Sequence, residues 1–346
     1  MDASTVYLQS MDETSERGGQ VRNQLEDLGF VKGSKTKVTL PGGSDPLSPV
    51  ELPAWAIDSG SDGPVLTVTA GVHGSEYASI LAAISTFKEL EVEDLKKGTL
   101  VVLPVVNPPG FAQRVPFVNP IDNVNLNRVF PGEPDGTITL RIVHDVFQKV
   151  LLNSDAVVDL HGGDLFERLL THTKYFVSGV TDIDKKSKEL ARLITERYYQ
   201  PVESGGGYLF SEVAKAGVPC AIVEAGGEGF FEKKDYEFHK RGIVNALRWL
   251  GMVEGECALE DEYEEVTEEL RVRTDCGGFV FRHVNVGDKA EKGSVLAEVI
   301  NVSGEVAQQL LCPADDCLVM YMNSRGVVNT GDTVFLLWKT VSREEK

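Results

Sequence analysis

Several things are scarce in this 346-residue chain, and each absence excludes something. It has only five cysteines (Cys220, Cys257, Cys276, Cys312 and Cys317), odd in number and with no Cys-x-x-Cys pair. Neither a disulfide framework nor a zinc knuckle can be built from that spacing, so reduced thiols are expected. No apolar run approaches the roughly 18 residues a membrane helix needs. The first twenty residues are polar and acidic, without an apolar core for a signal peptide, and a cytoplasmic protein is expected. Basic residues are also few. With 34 Lys and Arg against 53 Asp and Glu, the net charge of −19 disfavours nucleic acid and anionic membranes as partners. Histidines number six, so any that sit in a pattern are informative.

What is present is a chain that can bury a large core, 42% apolar. Residues 1–34 read as a lead-in, interrupted by Gly18-Gly19. From 35 to 253 apolar, β-branched runs alternate with helical stretches. Strands are expected at 64–70, 98–106, 156–160, about 175–178 and 219–223, and helices at about 78–90, 138–152, 183–199 and 233–250. That alternation predicts an α/β fold, a mostly parallel sheet covered by helices on both faces. Ligands of such sheets bind beyond the carboxyl ends of the strands. An acidic stretch follows, 254–269, with nine carboxylates in sixteen residues, read as a solvated linker. Beyond it, at 270–340, short β-type runs separated by glycine-aspartate turns predict a small all-β domain. Its Val286-Gly287-Asp288 and Gly293-to-Val299 pattern resembles a barrel-sandwich hybrid. The hairpin tip near 301–305 has no lysine, so packing or oligomerisation is expected of it, not a carrier role.

Three strand ends carry chemistry. Gly71-Val72-His73-Gly74-Ser75-Glu76 follows the first strand of the alternating series, His161 follows Asp159-Leu160, and Glu224 follows Ala221-Ile222-Val223. Two histidines and a glutamate make a ligand set for a hydrolytic metal that keeps a position for water. Glu224 is a candidate general base. A carboxylate ending a buried strand needs a partner, and a structural ion pair is the alternative reading. The long segment 111–136 holds Arg114, a candidate oxyanion donor, and Asn127-Arg128, candidates to hold a substrate carboxylate. Each arginine could equally bind loop carbonyls. Asp159 lies on the same face of its strand as His161, either orienting that ring or pairing with a helix.

Taken together, His73-x-x-Glu76, Asn107-Pro108, Arg114, Asn127-Arg128-Val-Phe-Pro-Gly, Asp159-Leu160-His161 and Glu224-Ala-Gly-Gly occur in the order of one family. The chain resembles, over about 50–250, the succinylglutamate desuccinylase/aspartoacylase family of the zinc carboxypeptidase-like superfamily. The resemblance implies a three-layer α/β/α hydrolase domain followed by a β-rich domain. It also implies one Zn2+ per subunit on His73, Glu76 and His161, with Glu224 as base, Arg114 at the oxyanion and Asn127 with Arg128 at a substrate carboxylate. Asn125 stands where that family more often has aspartate. The expected activity is hydrolysis of the amide of a small N-acylated amine or amino acid, in a subunit compatible with a homo-oligomer. A metallocarboxypeptidase acting on peptide C-termini, and a catalytically silent binding or assembly protein, are the rival readings.

Overall fold

The computed structural model describes residues 25–257, 260 and 262–344. The first part of the expected lead-in, residues 1–24 with Gly18-Gly19, lies outside the described residues. The first half is a mixed sheet. In chain order its strands are β1 (Lys35–Ser44), β2 (Pro49–Asp58), β3 (Val65–Thr69), β4 (Thr99–Leu103), β5 (Ala156–His161), β6 (Glu167–Leu169), β7 (His172–Phe176), β8 (Tyr198–Val202) and β9 (Cys220–Glu224). Across the sheet the order is β1-β2-β4-β3-β5-β9-β7-β8. Strands β4, β3, β5 and β9 run parallel, while β7 lies antiparallel to β9 and parallel to β8.

The helices are α1 (Tyr77–Glu89), α2 (Pro108–Gln113), α3 (Ile138–Lys149), α4 (Thr181–Ile194), α5 (Leu209–Lys215) and α6 (Lys233–Trp249). Two cores lie on opposite faces of the sheet. Ile142, Val146 and Phe147 of α3 and Val213 of α5 pack with Val65 and Val157 on one face. Ile80 and Phe87 of α1, Leu190 of α4 and Phe238 and Leu247 of α6 pack with Leu66, Val68 and Val158 on the other. Successive residues of a strand point to opposite faces, so a strand buried on both reads as an unbroken apolar run. The expected three-layer α/β/α arrangement is what forms.

Asn107 accepts the Gly110 N–H and caps the short helix α2, with proline in its first turn. One expectation needs correction. The acidic stretch is not a solvated linker throughout. From Glu262 it is strand β10 (Glu262–Arg273), in which Tyr263 and Val266 are buried while Arg197 and Lys188 meet Glu264 and Glu265.

β10 continues the large sheet, lying parallel to β8 through Tyr198–Glu264 and Tyr199–Glu265. The β-rich part adds β11 (Gly278–Arg282), β12 (Val295–Ile300), β13 (Val306–Leu311), β14 (Cys317–Asn323) and β15 (Thr333–Glu344). β10, β15 and β14 extend the large sheet antiparallel, and β13-β12-β11 form a second small sheet over their own core. A second contact comes from β6, which pairs with β14 through Leu169–Tyr321 and Glu167–Asn323. Among the described residues, no helix is long and apolar enough to cross a membrane.

Candidate active site

The turn from β3 into α1 places the first two candidate ligands. Gly71 adopts φ +63, where a side chain is strained, and a Cβ on Gly74 would lie 2.1 Å from the Phe111 backbone nitrogen. The turn can therefore press against α2 only with glycine there. It leaves His73 and Glu76 buried and facing inward. His161 ends β5, and across the β5–β9 ladder Glu224 is its register partner.

The Glu76 carboxylate lies between two imidazoles: Oε1 is 2.7 Å from His73 Nδ1 and Oε2 is 2.9 Å from His161 Nδ1. One ligand atom from each of the three residues lies within 4.8 Å of the others. Burial would raise the Glu76 pKa, but the two rings outweigh it and hold the carboxyl down at about 2. The far nitrogens are also engaged. His161 Nε2 is 3.2 Å from Asp159 Oδ2, whose other oxygen accepts the Thr69 hydroxyl at 2.7 Å. His73 Nε2 is 3.3 Å from Asn125 Oδ1. Asp159 thus orients the ring at its own strand end, and Asn125 faces a candidate ligand. Two imidazole nitrogens and a carboxylate, oriented from behind by oxygen acceptors, are a donor set suited to a divalent ion of the zinc type.

These residues line a cavity of about 560 Å³ that runs down one sheet face. Alternate residues of neighbouring strands supply its floor: Ile222 and Glu224 of β9, His172 and Lys174 of β7, Gln200 and Val202 of β8. Glu224 is nearly enclosed, its side chain 13% exposed, with Lys174 Nζ 3.6 Å from Oε1. Burial raises its pKa, and Lys174 opposes that shift.

The remaining candidates divide. Asn127 lines the cavity, but its Oδ1 already accepts the Leu209 N–H at the start of α5, leaving Nδ2 3.5 Å from His161 Nε2. Arg128 lines it too, with Nη1 donating to Asn127 O at 2.6 Å and the guanidinium 4.6 Å above the Tyr208 ring. Arg114 does not line the cavity. It ends α2 in the left-handed region, φ 57, and is exposed. Phe117 takes the place in the wall nearest that turn, its N–H donated to Asp164, which also accepts the Ser75 hydroxyl.

Sequence reasoning missed Lys174, Glu167 and Tyr321, all in the lining. A lysine between His172-Thr173 and Tyr175-Phe176, in a strand otherwise largely buried, is a signal that could have been used. Tyr321, with Glu269 and Arg271 on β10, comes from the β-rich part, which closes the far wall.

The family model for the succinylglutamate desuccinylase/aspartoacylase catalytic domain matches residues 62–250. An N-alpha-acetyl-L-2,4-diaminobutyric acid deacetylase from Halomonas elongata is 30% identical over 301 residues, 84% of this chain and 86% of that one. A succinylglutamate desuccinylase/aspartoacylase from Rhodobacter sphaeroides superposes with a TM-score of 0.81 at 24% identity, covering 90% of this chain and 97% of the other. The product-bound ectoine utilization protein EutE (DoeB) from Ruegeria pomeroyi gives 0.82 at 24% identity, covering 89% and 96%.

Proposed function

Because the chain belongs to the succinylglutamate desuccinylase/aspartoacylase family, we propose that it is a zinc-dependent deacylase of the cytoplasm, hydrolysing the amide of a small N-acylated amino acid. The observation that carries this reading is the Glu76 carboxylate clasped by His73 and His161 with Glu224 facing the same cavity. His73, Glu76 and His161 would hold the Zn2+. Bound there, the ion would polarise a carbonyl and acidify water.

The chain's own residues supply the rest. Glu224 accepts a proton from the attacking water as its oxygen bonds to the acyl carbon. It then delivers that proton to the nitrogen as the C–N bond breaks, giving a carboxylic acid and a free amine. A raised pKa suits a group that must take and return a proton near neutrality, and Lys174 keeps its ionised form accessible. Arg128 retains guanidinium donors beyond the one given to Asn127, and these can take the substrate carboxylate. A cavity of about 560 Å³ suits a small molecule, which favours a deacylase over a peptidase acting on long chains.

Metal analysis coupled to a hydrolysis screen over acetyl, succinyl and aromatic acyl amino acids tests the reading. N-α-acetyl-2,4-diaminobutyrate, named by the Halomonas relative, is the first compound to include. One equivalent of zinc with turnover of an acyl amino acid is expected. A metal-free protein that hydrolyses nothing would overturn it.

A further inference from the structure

The carboxylates of the cavity differ in whether they have a cation. Glu76 lies between two histidines, Glu224 is beside Lys174, and Glu269 accepts from Arg271 at 3.3 Å. Glu203 is exposed at the mouth. Glu167 is different. It lines the cavity, and one oxygen accepts the Asp164 N–H at 3.0 Å. Its other close neighbour is the Tyr321 phenol from the β-rich part. No lysine, arginine or histidine pairs with it among the described residues, and the charges that act on it are other carboxylates, Glu76, Glu224 and Asp164. Burial, then these neighbours, push its pKa up to about 7.

A half-buried carboxylate among other carboxylates is a poor place for an anionic or apolar group and a good one for a cation. A carboxylate that carries no internal cation has free acceptor capacity toward the cavity, and an ammonium ion can use it as a donor. We propose that Glu167 is a specificity residue that receives a free ammonium group on the substrate, so that the compound hydrolysed is an N-acylated diamino acid and not a simple acyl amino acid. The inference rests on the deacylase reading above for the identity of the site. It adds that the amine is a second one, distinct from the acylated nitrogen, held between Glu167 and the Tyr321 wall while Arg128 takes the carboxylate.

The test compares two substrates of nearly equal shape. N-α-acetyl-2,4-diaminobutyrate carries the ammonium, and N-acetylnorvaline carries a methyl in its place. Wild type should favour the first in kcat/KM by at least about tenfold, as expected of one charge-assisted hydrogen bond. In Glu167→Gln, which keeps an acceptor for the Asp164 N–H, that ratio should collapse toward one through KM. A role confined to bracing the 162–169 loop would lower both substrates together and leave the ratio intact, and that result overturns the proposal. Titration of zinc-loaded wild type and Glu167→Gln with the free acids 2,4-diaminobutyrate and norvaline gives a readout independent of turnover. Binding of 2,4-diaminobutyrate weakened selectively in the variant supports the proposal even if neither acetyl compound is hydrolysed, in which case only the deacylase reading fails. Equal loss or no loss for both ligands overturns it. Should Glu167→Gln not fold, Tyr321→Phe carries the same comparison from the other side, with a smaller fall in the ratio expected and an unchanged ratio counting against the proposal.

Discussion

The two walls of the cavity are built differently. On one, His73, Glu76, His161 and Glu224 sit at the carboxyl ends of β3, β5 and β9, each held by a turn or ladder with little freedom. On the other, Glu269, Arg271, Met320 and Tyr321 are side chains of strands in the β-rich part, which meets the first half through short strand pairings. Rigid strand ends suit chemistry, where small misplacements are costly. A wall from a second unit can vary without disturbing those strand ends, and so suits selection of the substrate. Variants should separate along that line.

The largest effects belong to the first wall. His73→Ala or His161→Ala should lose the metal, read by elemental analysis, together with all measurable turnover. Chelation of the wild-type protein should do the same, with activity returning on addition of zinc. Glu224→Gln should keep the metal and lose activity by about 10²–10⁴-fold, the range for a general base. Retained activity would break the assignment of the walls.

Next comes Asn125→Ala. It removes the oxygen 3.3 Å from His73 Nε2, and metal affinity measured by competition with a chromophoric chelator should fall about tenfold or more. Arg271→Ala, on the opposite wall, should leave metal content unchanged and move KM a few-fold. Metal loss in that variant would erase the distinction between the walls.

A further variant probes stability. Burial holds His239 down to about 4, with Nε2 3.3 Å from the Ala225 carbonyl. Its folded pKa lies below the unfolded value, so the unfolded chain binds the extra proton between about pH 6.5 and 4. The stabilisation is full above pH 6.5 and is lost as pH falls toward 4, about 3 kcal/mol in all. His239→Gln should flatten the fall of denaturation midpoint over that window. The smallest effect is expected of Arg114→Ala, less than about twofold in kcat/KM, since the side chain is exposed away from the cavity.

The same division explains how much was legible in the sequence. The strand-end residues announce themselves because a polar residue closing a buried apolar run is anomalous; three such runs point to the fold class and single out His73, Glu76, His161 and Glu224 as candidates, which the fold brings to one cavity. Gln200 and Arg271 line the site through the alternation of side chains along strands that become neighbours only in the folded sheet. Nothing local distinguishes them from residues facing solvent. Arg114 is the opposite case: order along the chain suggests a role, yet it ends α2 in a left-handed turn and lies outside the cavity lining. The acidic stretch misled because its charge density outweighs the few buried anchors within it, Tyr263 and Val266.

The parallel pairing of β8 with β10 has a consequence for dissection of the molecule. Cutting the chain between 254 and 261 would not release a self-contained catalytic unit. It would bare the backbone groups of Tyr198 and Tyr199 along an open sheet border, together with their rings, which now meet Trp338 and Tyr263. Such a border recruits other strands. The shortened protein should self-associate through it, and the β-rich part is thereby the molecule's guard against polymerisation.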